Sequence, residues 1–156
     1  MDARSAPYFD WEAMFPDPPP DLGVGPRAVA GSAVPLPEPA VRDLASILDL
    51  PPPRRRLLEG LALLWHDHWD AAHAVAQSHE GLADHDFLHA ILHRREGDFD
   101  NARYWFRSAG RHPCLASLER DAGGILQASP LRDLLLPGGH WSCEAFVAAV
   151  RQAPDR

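Results

Sequence analysis

His85-Asp-Phe-Leu-His-Ala-Ile-Leu-His-Arg-Arg-Glu-Gly-Asp-Phe-Asp-Asn-Ala-Arg-Tyr-Trp-Phe-Arg107 decides how this chain is read. Phe87, Leu88, Ile91 and Leu92 share one face of a wheel turning ~100° per residue, the mark of an amphipathic helix. Asp84 is placed to cap that helix and Asp86 lies in its first turn, where the helix dipole favours an anion. Gly97 ends it, because glycine alone enters the left-handed region without steric cost. Asp98 then caps a second helix whose apolar set is Phe99, Ala102, Trp105 and Phe106. A corner this short returns the second helix antiparallel to the first. The same stretch holds His85, His89 and His93 at a spacing of four, so one flank of the first helix carries a stripe of imidazoles.

A related hairpin precedes it by 30 residues. Leu58 corresponds to Leu88, Leu61 to Ile91, Trp69 to Phe99, Asp70 to Asp100, Ala72 to Ala102 and Ser78 to Ser108. Small residues recur where helices would cross closely: Gly60 and Ala90 each precede by twelve positions Ala72 and Ala102. Two helical hairpins follow. They resemble the tetratricopeptide class in the small residue of the first helix and the A-x3-F spacing of Ala102 and Phe106, with a period shorter than the ~34 residues of that class.

Outward from the hairpins, Pro39 to Leu50 reads as a helix with Val41, Leu44, Ile47 and Leu48 on one face. Pro51-Pro-Pro53 stops it and opens the next, proline being suited to a first turn. Pro113 begins a helix to about Gln127 that Gly123-Gly124 should loosen. Ser129-Pro130 starts a short one through Leu136, and Ser142 caps the last, with Trp141 stapled onto Phe146. Residues 1–39 carry prolines too closely spaced for a helix of normal length. Tyr8, Phe9, Trp11, Met14 and Phe15 are nevertheless too apolar for a freely solvated tail. The expected fold is therefore all-α: a compact bundle of about six helices with two TPR-like hairpins. A proline-rich arm, residues 1–39, docks on a single α-helical domain of residues 40–156.

Composition narrows the function classes. With 156 residues, the chain is long enough to bury a substantial core. A formal charge of −7 argues against neutralising nucleic-acid phosphates. No stretch resembles a membrane span or a signal peptide, so a cytoplasmic protein with no membrane partner is expected. Every one of the 15 basic residues is arginine. Without lysine there is no Schiff base, no pyridoxal phosphate attachment and no P-loop lysine.

Two constellations could carry chemistry. Imidazoles four apart on a helix chelate zinc, nickel, copper or iron. Asp70, His73 and Gln77 form a comparable stripe in the earlier hairpin, so His73, His89 and His93 are the candidate metal ligands. The more ordinary reading is histidines hydrogen-bonded to backbone or carboxylate groups. Around the corner stand Arg94, Arg95, Glu96, Asn101, Tyr104 and Arg107, a mixture suited to a carboxylate or phosphate ligand. An internal salt-bridge network would use the same residues. Cys114 follows His112-Pro113 at a helix start, a position that lowers a thiol pKa. No third group able to orient the pair identifies itself from spacing.

The run His89-x3-His93-Arg-Arg-Glu-Gly-Asp98-x2-Asn101-Ala-x-Tyr104-Trp-Phe-Arg107, followed by His112-Pro113, resembles the core of a family of uncharacterised bacterial proteins. Trp69-Asp-Ala-Ala-His73-x3-Gln77 and Trp141-x4-Phe146-Val147 carry the resemblance over roughly residues 55–150. It implies no activity, but it singles out His73, Gln77, His89, His93, Arg94, Glu96, Asn101, Tyr104 and Arg107. The functional expectation is a polar, His/Arg-lined groove between the hairpins that binds a small anionic molecule or a protein segment. The alternative is a metal-dependent enzyme built on the histidine stripes.

Overall fold

Helices account for the regular structure seen in the computed structural model, which describes Met14, Phe15 and residues 38–153. Eight α-helices and no strand occur among the described residues: α1 Glu38–Ile47, α2 Pro52–Trp65, α3 Trp69–Gln77, α4 Ala83–Glu96, α5 Phe99–Ala109, α6 Leu115–Ile125, the single-turn α7 Arg132–Leu135, and α8 Cys143–Gln152. The all-α class is as expected, and the eight helices are those read one by one along the chain, more than the six anticipated for the bundle as a whole. No described helix is long and apolar enough to cross a membrane. The chain divides into two compact units, Met1–His79 and Glu80–Arg156.

In the first unit, Pro51 precedes α2 in extended backbone and proline fills the opening positions, where a missing N–H costs nothing. α2 and α3 pack as a hairpin. The small residues Ala62 and Ala72 are fully buried on it, and Asp67 takes a positive φ of 62° at the corner. Val41, Leu44 and Ala62 form a core cluster with Met14, which is wholly buried. Phe15 meets Trp65 edge-on at 5.4 Å, and the His66 Nε2 lies 2.9 Å from the Met14 carbonyl oxygen. Tyr8, Phe9 and Trp11, named above with the arm, lie outside the described residues.

The second unit contains the His85–Arg107 stretch. α4 and α5 pack against each other along the hairpin. Gly97 sits at φ 88°, and the Asp98 side chain accepts from the Asn101 N–H. Leu82, rather than Asp84, stands before the first turn of α4. Asp84 lies inside that turn, and the carboxylate that caps locally is Asp86, whose Oδ1 accepts from Gly81 N–H at 2.9 Å. Phe87 and Phe106 pack edge-on at 5.2 Å across the hairpin. Ser108 donates to Asp86 Oδ2 at 2.7 Å, tying the far end of α5 to the start of α4.

α6 runs through Gly123-Gly124 without a break. Both glycines lie on its open side, with nothing near an added Cβ, so their effect is a loss of propensity and no kink. Ser142 caps α8 by accepting from Ala145 N–H, with Trp141 against Phe146 at 5.3 Å. Glu144 pairs with Arg103 at 2.8 Å, holding α8 on α5.

Candidate functional site

α4 departs from the simple amphipathic helix in an informative way. Leu88, Ala90 and Leu92 are buried as the wheel requires, but so are His85, Asp86, His89, His93, Arg94 and Arg95. Ionisable side chains are seldom buried unless partnered, so a helix burying six of them is committed to a polar interior. Among the described residues Arg95 is the largest fully buried side chain, with no exposed surface at all.

The geometry centres on His93. Its Nδ1 hydrogen-bonds the Glu96 carboxylate one turn on, a pairing held by the spacing of three along α4. A carboxylate only accepts, so this bond places the proton on Nδ1 and leaves a lone pair on Nε2. Asn101, brought over by the Gly97–Asp98 corner, sets its Nδ2 at 3.2 Å from that Nε2. His93 and His89 are stacked with centroids 4.6 Å apart, and each offers a ring nitrogen within 4.8 Å of the other's. Trp105 of α5 stacks on the far side of His89 at 4.1 Å, so His89 is sandwiched. Glu96 and Asp98 each place an oxygen within the same 4.8 Å of His93, giving a second donor group at the corner.

Charge shapes the surroundings. Burial, and then the neighbouring positive charge of Arg95, lowers the Arg94 guanidinium to about 10. It stays charged at neutral pH and lies over the Phe146 ring, 5.7 Å from its centroid.

The remaining residues singled out from sequence are placed as follows. His73 lies on α3 in the first unit, half-buried and stacked on Trp69 at 4.8 Å. Gln77, one turn later, is exposed. Tyr104 is exposed, with its ring edge-on to Trp105 at 5.0 Å. Arg107 is exposed and reaches Glu144 at 3.8 Å. The hairpin thus brings His89, His93, Glu96 and Asn101 together, with Tyr104 and Arg107 on the solvent side of α5. Sequence reasoning passed over Trp105 as an apolar residue; its place four after Asn101 was the available signal, since both then share a face of α5.

Comparison with models of known protein families, with curated proteins and with solved structures returns no match to this chain.

Proposed function

We propose that this protein binds a divalent transition metal, with His89 and His93 as ligands from α4. The observation that carries the reading is the Glu96–His93 hydrogen bond. Metal-bound imidazoles characteristically donate their other ring N–H to a carboxylate or carbonyl, which fixes the tautomer and raises the basicity of the ligating nitrogen. His93 is held in that state, with Nε2 facing the Asn101 amide, which a metal would displace. His89, four residues earlier and clamped by Trp105, supplies the second nitrogen at the spacing chelation requires. Paired imidazoles suit zinc, copper, nickel or iron, and leave an open position for an exchangeable ligand.

That open position accommodates the anionic-ligand reading. Arg94 and Arg95 bury two adjacent positive charges beside the histidines on α4. Adjacent like charges in a low-dielectric setting favour an anion nearby. We therefore read the small anionic ligand as a partner of the metal, held by the ion and by this positive field.

Calorimetric titration of the metal-free protein with zinc or with cobalt tests the proposal. One ion should bind per chain, and H89A or H93A should weaken binding by at least tenfold. E96Q should weaken it ~10- to 100-fold, the range seen when an outer-shell partner of a ligand is changed. Wild-type affinity in folded H93A would refute the assignment.

A further inference from the structure

A different set of side chains in the second unit has the parts of a nucleophilic centre. The Cys114 Sγ lies 2.9 Å from the His112 Nδ1, and the His112 Nε2 lies 2.6 Å from the Asp84 Oδ1. Asp84 and His112 are 28 residues apart, so the arrangement exists only in the folded unit. The tautomer follows from a separate contact. The Cys114 backbone N–H points at the same Nδ1 from 3.2 Å. A backbone amide only donates, so Nδ1 carries the lone pair and Nε2 carries the proton, directed at a carboxylate. Phe87, tilted against the imidazole at 4.8 Å, holds the ring plane. Base and orienting acid are in place, and the thiol is exposed to incoming molecules.

We propose that Cys114, His112 and Asp84 form a nucleophilic centre that accepts acyl groups from thioesters. In the first step Cys114 Sγ attacks the acyl carbon while its proton passes to His112 Nδ1. The tetrahedral intermediate collapses with cleavage of the donor's C–S bond, and the departing sulfur takes the proton from His112. The products are S-acyl-Cys114 and a free thiol, with no oxidation or reduction. Water then attacks the acyl carbon with His112 again accepting a proton. Cys114 leaves and recovers that proton, and a carboxylic acid is released. Asp84 is a positioning residue: it keeps the Nε2–H in place and stabilises the imidazolium that forms in each step.

Thioesters fit this thiol better than amides do. Burial, and next the charge of Asp84, raise the Cys114 thiol above its ordinary value, the reverse of what its place before a helix suggests. It therefore rests as S–H and depends on a base at the moment of attack. Exchange between two such thiols is close to thermoneutral, and a thiol leaving group departs without prior protonation.

The test uses the full chain with phenyl thioacetate as the acyl donor, following thiophenol release and locating the acyl group by peptide mass analysis. The expected result is acetylation of Cys114, abolished in C114S and unaffected in C143S. H112N, checked for wild-type circular dichroism, should slow it by ~100-fold or more, the usual contribution of a general base. D84N should slow it less and shift the pH profile of the rate, with D84E restoring the profile. Reaction at Cys114 no faster than at a free cysteine, or a rate and pH profile unchanged in folded H112N, would overturn the proposal. Because none of these residues is a proposed metal ligand, the result is independent of metal binding.

Discussion

At the scale of single residues, the two cysteines separate two kinds of environment. Burial first, and then the nearby Cys114, push the Cys143 thiol up to about 11. An acid whose folded value is raised contributes stability below its ordinary value, here 9.0, and loses it as pH climbs through 11. We therefore expect Cys143 to resist iodoacetamide at pH 8, with Cys114 labelled at least tenfold faster. Thermal stability should also fall between pH 9 and 11 by more in wild type than in C143S. Equal labelling of the two thiols would contradict the placement of Cys143. Its position at the start of α8, where a helix terminus would lower a thiol value, is outweighed by the half-buried setting beside Trp141. The sequence displayed Cys114 and His112 as neighbours, but Asp84 could not be chosen from among 22 acidic residues without the fold.

At the scale of elements, turn and cap chemistry was the most legible part of the sequence. Gly97, Asp98 and Ser142 behave as local rules require, since each answers to backbone groups within a few residues. Replacing Gly97 by valine forces a β-branched residue to φ 88° and should destabilise the protein by about 1–2 kcal/mol. Urea denaturation measures this, and an unchanged midpoint would mean the corner is placed wrongly. What local rules did not reveal is how much of α4 is buried. Wheel reasoning assigns apolar residues inward and leaves His85, Asp86, Arg94 and Arg95 to solvent. Their burial depends on partners such as Ser108, which lies 22 residues away and is recognisable only after α5 folds back. Asp84 was misplaced as a cap for a related reason: Leu82 begins the helix in extended backbone, and Asp86 satisfies the free N–H of Gly81 instead.

At the scale of the molecule, the hairpin repeat and the all-α class follow from periodicity. The places of Met14 and Phe15 follow only from what they touch. Met14 is completely buried with Val41, Leu44 and Ala62, and its carbonyl meets His66. M14A should cost about 2–5 kcal/mol, the range for truncating a large core side chain. Deleting residues 1–20 should lower the melting temperature by at least as much as M14A does, since it removes Phe15 from Trp65 as well. A truncated chain that melts like the intact one would show that this segment adds nothing to the first unit. The central claim, metal binding at His89 and His93, is also one about the whole protein, because it fixes a metal content per chain. Elemental analysis of protein purified without an affinity tag tests it most directly. The account predicts close to one equivalent of zinc, copper, nickel or iron per chain, retained through dialysis and absent from the H89A/H93A double variant. Protein free of metal, unable to take any up, or holding as much in that variant as in wild type, would contradict it.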